Sequence, residues 1–190
     1  MRSRFDFSRA TRGRLSDRYA QGHDVTLLDG EPDIEDPLVP GGSDSQLTEL
    51  AGKHLLIAHL VAAGLEVAEP VRDKGIDLIV YRDSGDFQAR PVQMKASSLE
   101  SFSLDGKYER FPHLLIAYVW NVQTPDRSEV YALTFKEAKK ILVSKGYDKT
   151  ESWEKRKYYF VRNAGTELKK LLAPYRMSPK NWQQKLKLAS

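Results

Sequence analysis

The amino-acid sequence predicts an α/β fold with a central mixed β-sheet flanked by helices. Three stretches support this prediction: an amphipathic helical stretch at 45–63, a pair of strand-like stretches within 74–98, and the apolar run HLLIAYVWNV at 113–122. A continuous apolar run of this length is typical of a strand that is buried on both faces, and such strands occur where helices cover a sheet. The order of helix, three strands, two more strands and helix therefore favours one mixed sheet.

The first predicted helix runs from about Ser45 to Ala63. Ser45, with Thr48 and Glu49 close behind it, supplies N-terminal capping chemistry. Residues at helical spacing then form a stripe of Leu47, Leu50, Ala51, His54, Leu55, Ala58, Val61 and Ala62. Gly64 follows in the usual position for the end of a helix, so both ends of this element are indicated by the sequence.

The remaining elements are indicated by shorter patterns. Further strands are predicted at 65–70, 102–104 and 129–133, and further helices at 135–145, 167–173 and 179–188. Thr134 is the predicted cap of the helix at 135–145, and Gly146 ends it. We expect a last strand or an irregular segment at 153–161, where aromatic residues cluster.

Length and composition limit the classes of protein that need to be considered. A chain of 190 residues suits one domain with appendages, and the absence of cysteine excludes disulfides, thiolate metal sites and cysteine nucleophiles. No apolar run approaches the roughly 20 residues that a membrane helix needs. We therefore expect a cytoplasmic protein with no membrane partner.

Charge is distributed unevenly along the chain. Residues 24–44 hold seven acidic and no basic side chains, whereas residues 136–190 hold fifteen Lys or Arg and five Asp or Glu. This asymmetry suggests a C-terminal part that faces a polyanion and an acidic segment that covers it, although charge alone favours a solvated Lys-rich helical surface. We divide the chain into an N-terminal arm and acidic linker (1–45), a central domain (46–176) and a basic C-terminal helix or tail (177–190).

Polar side chains interrupt the two otherwise apolar strands within 74–98. Asp77 lies near the start of the first strand, and Gln93 and Lys95 share one face of the second strand because side chains alternate between faces. Polar groups on a sheet are costly unless they are solvated, paired or functional. Glu49 would add a second carboxylate if the first helix packs against the sheet. These four residues are the candidate catalytic residues.

Metal-dependent hydrolysis of a phosphodiester is the chemistry that such residues suit. Mg²⁺ prefers oxygen ligands, retains several waters and needs only one or two carboxylates. The ion stabilises charge and lowers the pKa of an attacking water. A lysine beside the ion orients or deprotonates that water and offsets the charge of the phosphate. The residues therefore suggest a phosphodiesterase site.

Residues 47–97 resemble the core of PD-(D/E)XK nucleases, especially the Mrr-like, restriction-endonuclease-like members. The resemblance lies in Glu49 on the helix, in Gly75-Ile76-Asp77, and in Gln93-Met94-Lys95. It implies a restriction-endonuclease-like core and a Mg²⁺- or Mn²⁺-dependent endonuclease that cleaves DNA, or occasionally RNA. By the same resemblance, Asp77 would bind the metal, Lys95 would act as base or position water, and Glu49 would tune the metal site.

Gln93 departs from the commonest pattern of that family, in which this position carries Asp or Glu. A neutral amide oxygen is a weaker ligand for Mg²⁺ than a carboxylate. Glu49, waters or the backbone carbonyl of Met94 would make good the deficit. Each candidate also has a structural interpretation: Asp77 would pair with Lys74 or Lys95, Gln93 would hydrogen-bond within the sheet, Lys95 would extend to solvent, and Glu49 would pair with Lys53.

Several side chains are candidates for contacting partners. The predicted contacts to a nucleic-acid backbone are Lys107, Arg110, Lys155, Arg156 and Lys157. Trp153 and Trp182 are candidates for stacking on bases, with core packing favoured for Trp153. The stretches DFSRATRG and YAQGHDVTLLD resemble the openings of some small bacterial antitoxin-like proteins, which implies a protein partner for the arm. Many nucleases of the PD-(D/E)XK family dimerise to cut two strands, so a homodimer is a further expectation.

Two alternatives to an active nuclease stay open. The first is a catalytically silent domain of the same fold that binds nucleic acid or a protein partner, and Gln93 together with the antitoxin-like arm motivates it. The second is a nuclease regulated by a partner, in which the acidic segment at 24–44 occludes the basic surface.

Overall fold

The computed structural model of the chain describes residues 45–72, 74–82 and 87–186. The helices in this part are α1 (Ser45–Ala62), α2 (Phe135–Ser144), α3 (Glu151–Arg156), α4 (Thr166–Leu172) and α5 (Pro179–Leu186). The strands are β1 (Glu66–Ala68), β2 (Leu78–Arg82), β3 (Gln88–Ala96), β4 (Phe102–Asp105), β5 (Leu115–Trp120), β6 (Glu129–Thr134) and β7 (Tyr158–Val161). Residues 1–44, which include most of the expected arm and acidic linker, lie outside the described residues, as do Asp73 and residues 187–190.

The central sheet contains five strands in the order β1-β2-β3-β5-β6. The pairs β1–β2, β2–β3 and β5–β6 are antiparallel, and β3–β5 is parallel. The sheet is therefore mixed and flanked by helices, which confirms the predicted α/β class. β4 and β7 pair antiparallel in a separate two-stranded sheet, called the β4–β7 ribbon below.

The connection between the parallel strands β3 and β5 determines what covers the sheet. Parallel neighbours need a long crossover, which is usually an α-helix. Here the crossover contains β4 and a 3-10 helix at Gly106–Arg110. Phe102, Leu104 and Tyr108 of this crossover are buried in one cluster with residues of β5. The ribbon is thereby held against one face of the sheet.

Helices cover the opposite face of the sheet. Leu56 and Leu60 of α1 and Trp182 and Leu186 of α5 are fully buried in a second cluster, together with residues of β2, β3, β5 and β6. All six residues of β5 are buried, as expected of the apolar run that forms it. Within the described ranges, no helix has the length and apolar character that a bilayer-spanning segment requires.

The N-terminus of α2 is capped as the sequence predicts. The Thr134 hydroxyl accepts a hydrogen bond from the backbone N–H of Glu137, and the Glu137 carboxylate accepts one from the backbone N–H of Thr134. This reciprocal capping box fixes the direction in which α2 leaves β6. Gly146 follows the helix with φ of +68°, a left-handed conformation that glycine adopts without steric cost.

Two expectations for aromatic segments are wrong in part. The segment at 153–161 contains the last turn of α3 before β7 begins, so only its second half is a strand. Trp182 is fully buried rather than available to stack on bases, and its indole N–H donates to His59 Nδ1 at 2.8 Å. Burial of a large apolar ring with its single donor satisfied is favourable. Trp153 is also buried, as expected.

Candidate functional site

The candidate site lies where β2 and β3 separate. The β2–β3 ladder starts at the pair Leu78–Val92, whereas β3 continues beside β5 as far as Ala96. Asp77 immediately precedes β2, and its backbone N–H donates to the Val92 carbonyl. The edge of β3 beyond Val92 is therefore open to side chains instead of a neighbouring strand, and Gln93 and Lys95 lie on this part of β3.

Asp77 and Gln93 are in direct contact. Gln93 Nε2 donates to Asp77 Oδ2 at 2.5 Å, and the backbone N–H of Met94 donates to the same oxygen at 2.6 Å. Gln93 Nε2 also donates to the Met94 carbonyl at 3.2 Å. Beyond the last residue pair of β2 and β3, the Asp77 carboxylate thus accepts the hydrogen bond of a β3 backbone N–H group. Gln93 is buried and Asp77 is half-buried, so this contact is partly shielded from solvent.

A glycine brings α1 close to the end of β3. A Cβ atom added to Gly52 would overlap the Cβ of Ala96 and lie 3.4 Å from Cγ1 of Val122. Only glycine allows the helix backbone to approach β3 this closely. The approach carries the N-terminal part of α1, with Thr48 and Glu49, to the separating ends of β2 and β3. The condition on which Glu49 was proposed as a site residue, packing of its helix on the sheet, is met.

These elements surround one cleft of about 460 Å³. The four candidate catalytic residues all line it, and we call it the carboxylate cleft. Its lining residues are Ser45, Thr48, Glu49, Asp77, Gln93, Met94, Lys95, Ala96, Ser101, Ser103, Tyr158 and Phe160. Residues that are 46 positions apart in the sequence, Glu49 and Lys95, therefore share one concave surface.

Lys95 lies over an aromatic ring within this region. Its ammonium nitrogen is 5.4 Å from the centroid of the Tyr108 ring, a cation–π arrangement. In the part of the chain that the structure describes, Lys95 forms no ion pair. The structural interpretation in which Lys95 neutralises Asp77 is thus not the observed arrangement, and the positive charge remains available to an anionic ligand.

Lys53 is a cation near the site that the sequence did not single out. Its ammonium group pairs with Glu69 at 3.0 Å rather than with Glu49, the partner expected from helical spacing. The hydrogen bond with Glu69 raises the pKa of Lys53, and the charges of Asp77 and Glu49 act in the same direction. Lys53 therefore lies within electrostatic reach of both carboxylates of the cleft.

A second cleft, of about 390 Å³, carries basic side chains and is called the basic cleft below. It is lined by Lys74, Gly75, Lys107, Tyr108, Arg110 and Phe111. A Cβ atom added to Gly75 would lie 3.7 Å from Gln93 Oε1 and 3.8 Å from Tyr108 Cε1. The basic cleft thus adjoins the carboxylate cleft through Gly75 and Tyr108. The hydrogen bond that the Lys107 ammonium group donates to the Asp105 carboxylate raises the pKa of Lys107, which keeps this side chain charged.

The predicted nucleic-acid contacts are divided between two regions. Lys107 and Arg110 line the basic cleft. Lys155 and Arg156 end α3, and Lys157 links α3 to β7 with a left-handed φ of +53°. All three are exposed, and Lys155 pairs with Glu151. Lys157 directly precedes Tyr158 of the carboxylate cleft, so this basic segment leads into that cleft.

The oxygen atoms of the carboxylate cleft fit a hard divalent cation. Asp77 and Glu49 supply carboxylates, and Mg²⁺ usually binds proteins through one or two of these while retaining waters. Thr48 lines the same cleft, and its Oγ1 is buried without a hydrogen-bond partner among the described residues. No three His, Asp or Glu side chains converge within 45–72, 74–82 and 87–186. A metal here would therefore depend on two carboxylates, neutral oxygens and water.

The orientation of the Gln93 amide determines which of its atoms, a donor or an acceptor, faces the oxygens proposed to bind a metal. Its Nε2, a donor, faces the Asp77 and Met94 oxygens that a cation would use. Rotation of the amide by half a turn would exchange Nε2 for Oε1, which is an acceptor. As described, Gln93 positions the Asp77 carboxylate, and after that rotation the same side chain would present an acceptor oxygen to these groups.

Two aromatic residues of the cleft were missed by sequence reasoning. Tyr158 and Phe160 of β7 line the carboxylate cleft and are 42% and 54% exposed. Ser101 and Ser103 from the start of the crossover lie in the same lining. The signal in the sequence was the alternation Tyr158-Tyr159-Phe160 in a predicted strand, but which of these rings faces outward depends on pairing with β4.

Comparison with known proteins does not assign the chain to a family. No protein-family model, no curated protein and no solved structure matches it.

Proposed function

We propose that this protein is a metal-dependent nuclease that hydrolyses phosphodiester bonds in the carboxylate cleft. The observation that carries the proposal is the meeting of Glu49, Asp77, Gln93 and Lys95 in one cleft, although they come from a helix, a loop and a strand. Their types match what phosphodiester hydrolysis requires: carboxylates for a cation and a lysine for a phosphate and its attacking water. The proposal includes a restriction-endonuclease-like core for the α/β fold.

Asp77 and Glu49 are the proposed carboxylate ligands, with the Met94 carbonyl and Gln93 Oε1 as neutral oxygens. The cation would be Mg²⁺ or Mn²⁺. When bound, it supplies positive charge that stabilises the phosphate and acidifies water at the site. The backbone N–H of Met94 holds Asp77 at 2.6 Å, which fixes the carboxylate before any ligand arrives. A site prepared in this way needs little reorganisation during the reaction.

Lys95 is the proposed catalytic residue that acts on water and phosphate. Its ammonium group is held over the Tyr108 ring without an acidic partner in the described residues, so no carboxylate competes with the substrate for it. It would orient the attacking water and donate to a phosphate oxygen whose negative charge grows in the transition state. Lys53, near both carboxylates, would add further positive charge to the edge of the site.

The substrate is proposed to be DNA held along the basic cleft. Lys74, Lys107 and Arg110 lie beside the reacting groups, at a position suited to phosphates that flank the scissile bond. Such contacts give affinity that falls with salt concentration and carry no sequence information. The exposed side chains of Lys155, Arg156 and Lys157 would extend this backbone contact. A cytoplasmic location and a homodimer also belong to the proposal.

A second candidate function is a non-catalytic domain that binds nucleic acid or a protein. The contact between Gln93 Nε2 and Asp77 Oδ2 favours it, since the amide already satisfies the oxygen that a cation would bind. The two functions differ in one measurable respect. A binding domain retains DNA without cleaving it and takes up no Mg²⁺.

The experiment that separates the two functions is a cleavage assay combined with calorimetry. Plasmid, linear duplex and single-stranded DNA are incubated with the full chain in Mg²⁺, in Mn²⁺ and in EDTA, and heat of Mg²⁺ binding is recorded on the same preparation. The nuclease proposal predicts cleavage in either metal, none in EDTA, and measurable metal uptake. Salt-dependent DNA binding with neither cleavage nor metal uptake would establish the binding domain instead.

A further inference from the structure

The β4–β7 ribbon presents two different faces. Phe102, Leu104 and Tyr159 point into the hydrophobic core, and the Tyr159 ring stacks on Tyr147 with centroids 4.3 Å apart. Because strand side chains alternate, anchoring these residues inside forces their neighbours to the outer face. Tyr158 and Phe160 therefore share the outer face of β7, opposite Asp105 and Ser103 of β4.

The two outward rings lie together in a cleft that contains the candidate catalytic residues. A single exposed apolar residue needs no explanation. Tyr158 and Phe160, however, both line the carboxylate cleft, in which the other side chains, apart from Met94 and Ala96, are carboxylates, hydroxyls, an amide and a lysine. Aromatic rings beside cationic and phosphate-directed groups are the combination that binds single-stranded nucleic acid, in which bases stack on rings and cations follow the backbone.

Spacing and rigidity of the two rings suit successive bases. Residues two apart on a strand are separated by about 6.5–7 Å, close to twice the ~3.4 Å rise between stacked bases, so the two rings suit successive bases that have unstacked from each other. The ribbon is held by buried aromatic residues behind it, so the rings are organised before a ligand binds. Preorganised groups lose little entropy on binding.

We propose that Tyr158 and Phe160 form a stacking platform for unpaired bases, so that the substrate is single-stranded nucleic acid or a strand with unpaired bases at the point of cleavage. The inference rests on the proposed nuclease function and narrows its substrate. In a duplex the faces of the bases are stacked on one another, which leaves the two rings nothing to contact. The neighbouring cations, Lys95 in the cleft and Lys157 before Tyr158, match the phosphates of such a strand.

Binding without cleavage tests this inference. The full chain is titrated in EDTA, by fluorescence anisotropy, into three labelled probes: a single DNA strand, the duplex of the same sequence, and an abasic strand of the same length. The abasic strand keeps the phosphates and removes the bases. We expect the order of affinity to be base-bearing single strand first, with the duplex and the abasic strand weaker.

Substitutions test whether the two rings cause the expected difference in affinity between the three probes. The double variant Tyr158→Ala with Phe160→Ala is expected to weaken binding of the base-bearing single strand by roughly 10- to 100-fold, since base–aromatic stacking is large for each base. Its binding of the duplex and of the abasic strand should stay unchanged. Tyr158→Phe keeps the ring and should bind as the wild type does. Phe87→Ala removes another exposed ring, 67% exposed and outside the cleft lining, and should also leave binding unchanged.

Two results would overturn the inference: unchanged single-strand binding by the double variant, or an equal loss for all three probes. Equal loss would mean that the rings contact no bases. Circular dichroism of the double variant confirms that the ribbon still folds, which is expected because both side chains are exposed. A separate cleavage reaction distinguishes the two proposals. If binding depends on the two rings but no DNA is cleaved, the proposed nuclease function is wrong and the stacking platform is supported. If DNA is cleaved but binding does not depend on the rings, the stacking platform is wrong and the nuclease function is supported.

Discussion

Gln93 Nε2 donates a hydrogen bond to Asp77 Oδ2 over a distance of 2.5 Å. The neutral amide therefore stabilises the negative charge of Asp77 in the absence of a cation. A carboxylate at position 93 would repel Asp77 at the same distance unless a cation lay between them. The identity of residue 93 thus determines how strongly the folded site depends on metal.

Gln93→Glu should make the stability of the protein depend on Mg²⁺. In EDTA the variant is expected to unfold at a lower temperature than the wild type, because two carboxylates would then meet in a partly buried place. Added Mg²⁺ should raise its unfolding temperature by more than that of the wild type, since a ligand that binds only the folded state stabilises it. Thermal unfolding with and without Mg²⁺ measures both effects.

Gln88→Glu is the matched control for that substitution. Gln88 lies on the same strand outside the carboxylate cleft, and its side chain accepts from Arg82 at 3.1 Å. A glutamate there gains a favourable partner and should show no added dependence on Mg²⁺. Equal responses to Mg²⁺ by the wild type and Gln93→Glu would contradict the proposed cation position.

Gly52→Ala should damage both the fold and the site. The added methyl group meets the Cβ of Ala96, and neither atom belongs to a flexible side-chain end. Overpacking of this kind costs about 1–3 kcal/mol of unfolding free energy. We also expect it to move the N-terminal part of α1, with Glu49, away from Asp77. Urea unfolding and metal-dependent cleavage should both show a loss.

Gly165→Ala provides the comparison for the Gly52 substitution. A Cβ atom added at Gly165 has no neighbour within 4 Å, and this residue precedes α4 in extended conformation. We expect little change in stability and none in cleavage. A Gly52→Ala protein as stable as Gly165→Ala would show that α1 does not approach β3 as closely as described.

The basic cleft should govern the salt dependence of DNA binding. Removing Lys107 and Arg110 together is expected to lower the slope of log K against log salt concentration by roughly 0.7–0.9 for each lost phosphate contact. The loss should be similar for different sequences, because these contacts carry no sequence information. Lys170→Ala, on α4 and paired with Glu167, is the control and should leave the slope unchanged. A slope unaffected by the double substitution would exclude the basic cleft as a phosphate contact.

The contact between α1 and α5 should weaken as pH falls. Burial lowers the pKa of His59, whose Nδ1 accepts from the Trp182 indole. A histidine whose folded pKa lies below its unfolded value stabilises the fold fully above the unfolded pKa, about 6.5. That stability is lost as pH falls from about 6.5 through the folded pKa.

Urea unfolding at several pH values checks this sign. The wild type should lose stability between neutral and mildly acidic pH, and His59→Gln should lose less over the same interval because the titrating group is absent. His54→Gln, at an exposed position of the same helix, should retain the wild-type dependence. If His59→Gln showed the full wild-type loss, titration of another group would be responsible.

Local sequence patterns were sufficient to predict helices and strands and part of the candidate site. Helical spacing and a terminal glycine indicated α1, the apolar run indicated β5, and the Thr134 cap indicated α2. The four candidate catalytic residues were chosen by type and order, and they line one cleft. These features depend on neighbours within one or two turns or strands.

Features that depend on distant pairing could not be predicted. The outward positions of Tyr158 and Phe160 follow from pairing with β4, more than fifty residues earlier in the chain. Trp182 is buried because α5 packs against α1, and Lys53 pairs with Glu69 because α1 lies beside the end of β1. Charge and periodicity along the sequence contain no information on such contacts.

Cleavage by matched variants tests the central claim most directly. Wild type, Asp77→Ala and Lys95→Ala are assayed side by side on single-stranded and duplex DNA in Mg²⁺, after circular dichroism has shown that each is folded. We expect cleavage by the wild type and a loss in both variants, which for Lys95→Ala should reach roughly 10²- to 10⁴-fold, the usual contribution of a general acid or base. Cleavage that survives both Asp77→Ala and Lys95→Ala would contradict the claim that the carboxylate cleft is the active site.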